Sequence, residues 1–296
     1  MIPPIRRDGT VDPAVPYIQP YYLLPLDGRH TVTIAANGAS NQILFEGPQE
    51  GAFEGAMLLG TATSPLILVT QFEHRNRNLI VRPIHAATMF GGQIVPTGLA
   101  TLGVSPFYMQ ETLWLLPRER LVINLMDLSG SENTVRLAIA GTLYVLAGSE
   151  AARQMIGGVS QLALRKSQIS LPFWYTPEPT AGELSIVLAA SATMQGNILI
   201  SSEAAFNWKK TTSYHDYPYE ITFYEPFSGR PLSPAPVHCD LITGTGMFPF
   251  VSKEGLFLKP SSRLNFTITN LSATHENAIF LTLHGQHIYS GLETVL

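Results

Sequence analysis

The 296-residue sequence predicts an all-β protein of two tandem, internally duplicated antiparallel β-sandwich or jelly-roll domains, with an extended N-terminal arm and a short linking helix. Three observations predict this: short β-prone runs bounded by turn residues, a motif that recurs at fixed separation, and a proline-dense start. The expected divisions are an arm over 1–29, a first sandwich over 30–148, a linker with a short helix over 149–172, and a second sandwich over 173–296.

The arm carries Pro3, Pro4, Pro13, Pro16, Pro20 and Pro25. Proline at this density blocks helix and removes backbone donors, so the segment should run extended. Tyr17, Tyr21 and Tyr22 give it apolar anchors, for a neighbouring subunit or for its own domain. From Thr31 onward come apolar runs rich in β-branched residues, among them Ile43–Phe45, Leu66–Val69, Leu79–Val81, Leu121–Leu125 and Leu137–Val145. Ile186–Ala190, Ile198–Ser201, Glu220–Tyr224, Leu264–Thr269 and Ile279–Leu283 continue the pattern, with Gly, Pro, Asn and Ser clusters between, as in sandwiches and barrels. One segment differs. Ser149 is an N-cap residue ahead of the helix formers Glu150–Ile156, which predicts a short or broken helix over 149–165 between the halves.

The repeat decides the architecture. Pro106-Phe107, Glu111, Leu113, Leu115, Pro117 and Arg120-Leu121 return as Pro249-Phe250, Glu254, Leu256, Leu258, Pro260 and Arg263-Leu264. The separation is constant at 143 residues (106 to 249, 113 to 256, 120 to 263). It shifts by one, to 144, for Glu132-Asn133, Leu137 and Gly141 against Glu276-Asn277, Leu281 and Gly285. Agreement at a fixed period is the mark of duplication. Each repeated residue has a structural role. The leucines alternate along a strand toward the core, the prolines end it, and the asparagines suit a turn. Gly141 and Gly285, inside a strand, mark a bulge or the close approach of another backbone. Pairing Ile43–Phe45 with Ile198–Ile200 leaves the first copy with an insertion around 46–63, whose glycines 47, 51, 55 and 60 suggest a surface loop.

Composition limits the function. Hydrophobic residues make up 45% and charged residues only 14%, against roughly 25% charged in a typical soluble protein. So little charge favours a chain whose surface is covered by other subunits. The net charge is −4 and the longest basic runs are pairs (Arg6-Arg7, Arg165-Lys166, Lys209-Lys210), which disfavours direct binding to nucleic acid. Cys239 is the only cysteine, so no internal disulfide is expected. Neither a secretory signal nor a spanning segment is expected.

No catalytic, cofactor-binding or metal-binding residue is assigned, and no cofactor is expected. His275, His284 and His287 with Glu276 are the nearest approach to a metal set, in the manner of a cupin-like barrel. Residues 284 and 287 should face opposite sides of one strand, so exposed or turn histidines are expected there. His74–Asn78 reads as a basic loop or a solvated hairpin tip. His238-Cys239-Asp240, taken as strand neighbours, point alternately and do not converge. Gly158-Val159-Ser160 begins a nucleophile elbow that Gln161-Leu162 does not complete, and Gly244-x-Gly246 lacks a following helix. Trp114 should be buried beneath a loop or neighbour, and Trp208, beside Lys209-Lys210, is the better exposed contact.

Phe227-Ser228-Gly229-Arg230-Pro231-Leu232-Ser233, Gly244-Thr245-Gly246, Pro249-Phe250, Leu256–Leu264 and Thr269–Ser272 together resemble virion structural proteins of bacteriophages. The likeness covers 227–291 well and the first copy more loosely. It implies a non-enzymatic component of the virion, of the collar, neck, head–tail connector, baseplate or head-decoration type. Such a protein would self-associate and contact other virion proteins, without membrane or sequence-specific nucleic acid. A double jelly-roll major capsid protein of a tailless virus is the alternative within that class. A cupin-like or carbohydrate-active enzyme is the alternative outside it.

Overall fold

The computed structural model describes residues 17–26, 31–40, 42–64, 66–90, 107–145, 170–244 and 250–289. In the first half, one sheet runs in the order β1 (Tyr17–Leu23), β10 (Asn133–Val145), β4 (Gly51–Ala62), β8 (Phe107–Leu115), with β2 (Val32–Ile34) also on β10. The facing sheet is β3 (Ile43–Glu46), β9 (Arg120–Asp127), β5 (Ile67–His74), β6 (Arg77–Asn78), with β7 (Ile84–His85) on β5. A one-turn helix α1 (Ala86–Met89) follows β7.

The second half repeats this plan. Its sheets are β11 (Ser170–Tyr175), β19 (Asn277–Ile288), β14 (Ala205–His215), β17 (Phe250–Leu258) with β12 (Ile186–Leu188) on β19, and β13 (Thr193–Leu199), β18 (Arg263–Asn270), β15 (Tyr219–Tyr224), β16 (Val237–His238). Helix α2 (Cys239–Ile242) follows β16 as α1 follows β7. All these ladders are antiparallel. Two facing antiparallel sheets in this strand order, five and five strands in the first half and five and four in the second, are a jelly roll, so the chain is two jelly rolls of one topology.

The strands form because their side chains alternate. Along β9, Leu121, Ile123, Leu125 and Asp127 point inward, and along β18 their repeats Leu264, Phe266, Ile268 and Asn270 do the same. The last inward residue of each is polar and holds neighbouring loops. Asp127 accepts from the Asn37 amide (3.1 Å) and from Asn133 Nδ2 (3.0 Å). Asn270 Nδ2 donates to the carbonyls of Leu188, Ala189 and His275. The prolines that end β8 and β17 are each followed by a left-handed residue, Arg118 (φ 63°) and Ser261 (φ 61°).

Gly141 and Gly285 sit where their ladders slip by one residue. A Cβ on Gly141 would lie 2.0 Å from the Glu54 carbonyl oxygen, and one on Gly285 2.1 Å from that of Asn207. The expected close backbone approach is thus present in both copies. The expected insertion over 46–63 is not a surface loop: most of it is β4, the central strand between β10 and β8. Its glycines admit close neighbours: a Cβ on Gly51 would lie 1.9 Å from the Tyr144 carbonyl oxygen, and one on Gly55 or Gly60 would crowd the side chains of Ile139 or Phe90.

Tyr17–Leu23, within the stretch read as an arm, lies on β10 of its own domain as an edge strand, a position that tolerates Pro20. The linking helix expected over 149–165 lies outside the described residues, and 170–172 of the expected linker belong to β11. The halves share packing. Trp174 of β11 enters the first domain's core, edge-on to Phe72 at 5.2 Å, and its amide donates to the Leu79 carbonyl (3.1 Å).

Candidate functional site at the domain seam

The most developed polar and aromatic constellation among the described residues is the seam between the domains. β7 ends at His85, whose Nδ1 accepts the Ala87 amide (3.3 Å) and caps α1. The helix tip then lies on the outer face of the second domain's β14–β19 pair. Thr88 Oγ1 meets Thr282 Oγ1 at 2.8 Å, and Thr212 Oγ1 donates to the Thr88 carbonyl at 2.9 Å. His284 Nε2 lies 2.6 Å from Thr212 Oγ1, and the His85 ring stacks on Tyr214 at 4.1 Å. Lys210 Nζ reaches the Tyr108 carbonyl at 2.5 Å. Burial holds His85 neutral, with its pKa down at about 3, pushes His284 well below the usual histidine value, and lowers Lys210 to about 8. Neutral histidines and hydroxyls exchanging hydrogen bonds in this buried seam position the two surfaces against each other, and His85 and Thr282 also line a small cavity at its edge.

The registers show which first-domain residues stand where these second-domain residues stand. Thr212 pairs with Thr282 as Leu59 pairs with Ala138, and Lys210 pairs with His284 as Met57 pairs with Ala140. Trp174 pairs with His284 as Tyr22 pairs with Ala140. The Leu79 amide bonds to the Phe72 carbonyl as that of Leu232 bonds to Phe223, and Leu241 of α2 holds the place of Thr88 of α1. Inside the seam Trp174 is 2% exposed and Leu79 and Thr88 are fully buried. Their counterparts Tyr22, Leu232 and Leu241 are 64%, 46% and 69% exposed. Tyr22, Met57, Leu59, Tyr108, Ala138 and Ala140 line an apolar groove of about 650 Å³ on the first domain. No feature of the sequence alone announced the groove; the repeat, carried through to strand registers, locates it.

The residues singled out in the sequence fall elsewhere. His284 and His287 face opposite sides of β19, as their spacing requires, yet both are buried and not at turns or exposed. His287 stacks on Phe173 (3.5 Å) inside the second sandwich and its Nε2 meets the Tyr175 hydroxyl at 2.7 Å. The strand is covered on both faces, which sequence alternation does not reveal. His275 is exposed, stacked on Tyr217 (5.0 Å), and Glu276 beside it is exposed, so the three histidines and the carboxylate do not converge.

His74–Asn78 is a hairpin tip with a two-residue turn, Arg75 and Asn76 both at positive φ. The tip is not simply solvated, since Arg75 and buried His74 both meet Glu119. Burial alone would raise the Glu119 pKa; hydrogen bonds from His74, Arg75 and the Leu116 amide outweigh it and hold it at about 2. Trp114 is buried against Tyr144, as expected. Trp208 is not an exposed contact: it is buried, and its Nε1 donates to the Lys210 carbonyl and Thr211 Oγ1. Cys239 opens α2 instead of lying within a strand, which brings it together with His215 and Asp240. Among the described residues no helix is long and apolar enough to cross a membrane.

No family model and no curated protein matches the sequence. The solved structures to which the chain is similar, all at low identity, include proteins of virus particles and seed globulins. The major capsid protein P2 of bacteriophage PM2 is 12% identical with TM-score 0.46, the match covering 92% of this chain and 99% of that one. A chain of Sulfolobus turreted icosahedral virus is 8% identical with TM-score 0.26, covering 92% and 60% respectively. VP2 of infectious bursal disease virus is 12% identical with TM-score 0.24, covering 94% and 72%. Likeness this distant carries no functional argument; strand order and register define the jelly rolls.

Proposed function

We propose that the chain is a structural protein of a virus particle, a double jelly-roll shell subunit whose partner is another copy of itself. The observation that carries this reading is the seam found once complete and once with its two halves exposed. The tip of α2, with Leu241 and Leu232, carries the residues that on the first domain dock into the second. The groove around Leu59 and Ala138, with Tyr22 beside it, stands where the second domain receives that tip. Joining the exposed halves between copies repeats the internal contact in a head-to-tail manner, which closes into a ring when the rotation permits. Three chains would then present six near-equivalent barrels, a tile suited to a pseudo-hexagonal lattice. The side chains are complementary: leucine meets Met57, Leu59 and Ala138, where inside the chain threonine meets two threonines. The low charge of the sequence agrees with a surface largely covered by neighbours.

Light scattering on the purified chain should give a mass three times that of the protomer. Leu241→Asp should reduce it to monomer, with circular dichroism unchanged because Leu241 lies outside the cores. A trimer that survives Leu241→Asp and Leu59→Asp together would overturn this interface. Quantifying the protein in purified particles separates the shell from the other places considered. Hundreds of copies are expected, whereas about a dozen would move the chain to a collar, neck or connector ring.

A further inference from the structure

We infer that His215, Cys239 and Asp240 form a binding site for a divalent transition-metal ion of the zinc class, tying the end of β14 to the start of α2. Their ligand atoms lie within 4.8 Å of one another. Cys239 Sγ is 3.7 Å from His215 Nε2 and 3.8 Å from Asp240 Oδ1. Metal–ligand bonds of roughly 2.0–2.3 Å in a tetrahedron set ligand atoms about 3.3–3.8 Å apart, so these spacings are edges of such a polyhedron. A shared hydrogen bond accounts for one contact of the thiol; it does not require imidazole, thiolate and carboxylate to close on one point.

The surroundings prepare the ligands. His215 Nδ1 meets Ser213 Oγ at 3.2 Å, which turns Nε2 toward the thiol, as the outer partner of a metal-bound histidine does. Ser213 is fixed in turn by Thr243 Oγ1 (2.9 Å), and Thr243 by the Cys239 carbonyl (2.8 Å). Cys239 is buried, His215 half-buried and Asp240 exposed, so an ion would enter from the Asp240 side and keep water in its fourth position. His238 Nδ1, 3.8 Å from the thiol, accepts the Asp240 amide and stays the helix cap, the role His85 has in the first domain. Binding replaces the thiol S–H bond with a sulfur–metal bond and releases the proton to water.

The site is not a requirement of the fold. The first domain carries Ala62, Ala86 and Ala87 at the matching places, and Ala62 and Ala86 pack into its core without polar ligands. The second copy alone has acquired imidazole, thiol and carboxylate together. The thiol is buried at the start of α2 and His215 half-buried at the end of β14, so all three ligands come from one chain.

The test uses the full-length chain, stripped by chelator and titrated with Co2+. A sulfur-to-cobalt charge-transfer band saturating at a single ion per chain is expected, with displacement by Zn2+. Cys239→Ser should abolish the band, and His215→Ala should weaken binding by about ten-fold or more. His275→Ala, at an exposed histidine elsewhere, should leave both unchanged. Absence of the band, or equal affinity in the His215→Ala protein, would overturn the site. Should Cys239→Ser not fold, the wild-type thiol gives the answer: Zn2+ should slow its reaction with a disulfide reagent, and an unchanged rate counts against the site.

Discussion

Single residues carry the acid sensitivity of this protein. His85 and His287 are buried with pKa values lowered to about 3, and His284 is lowered as well, each by loss of solvent around the charged ring. In the unfolded chain they take a proton near the ordinary value. Their contribution is therefore complete above about pH 6.5 and is lost as pH falls toward 3, each withdrawing up to ~1.4 kcal/mol per pH unit. Urea midpoints should fall only slightly between pH 8 and 7, where Lys210 also titrates, and far more between pH 7 and 5; a level profile from pH 7 to 5 would contradict the neutral buried histidines. These residues also mark what the sequence withheld. Gly141 and Gly285 were legible because a duplicated glycine inside a strand has few explanations besides backbone contact. The burial of His284 was not, because the outer face of β19 is covered by α1, almost two hundred positions away in the chain.

At the level of elements, the repeat fixed strands β8 to β10 and β17 to β19 because turn prolines, alternating leucines and strand-end asparagines recur in step. β4 escaped. Its glycines resemble a loop until the bulge and the close neighbours that need them are known. The short helices escaped too, since one turn has no periodicity to detect and the capping histidines are not typical caps. The β5–β6 hairpin offers a test of turn chemistry. Arg75 and Asn76 both take positive φ in a two-residue loop, the geometry in which glycine is favoured at the second place. Asn76→Gly should raise stability by about 0.5–1 kcal/mol in urea denaturation without changing the oligomer.

For the whole molecule, the decisive element is Trp174, a second-domain side chain housed in the first domain's core. Two jelly rolls joined this way should unfold in one cooperative transition. Trp174→Ala should remove about 3–5 kcal/mol and split calorimetric melting into two steps, because the domains then lose their common anchor. A single sharp transition in that variant would show that the hydroxyl and histidine contacts of the seam suffice alone.

The unlike tips of α1 and α2 also give the chain a sense of direction. A threonine tip set against Leu59 and Ala138 would strand its hydroxyl among methyl groups, and a leucine tip set against Thr212 and Thr282 would leave theirs unmatched. Either exchange costs about 1–3 kcal/mol for each orphaned group. In the proposed assembly such mispairing would be penalised wherever two copies meet, which steers a leucine tip to the apolar groove of a neighbour and away from the hydroxyl-lined face.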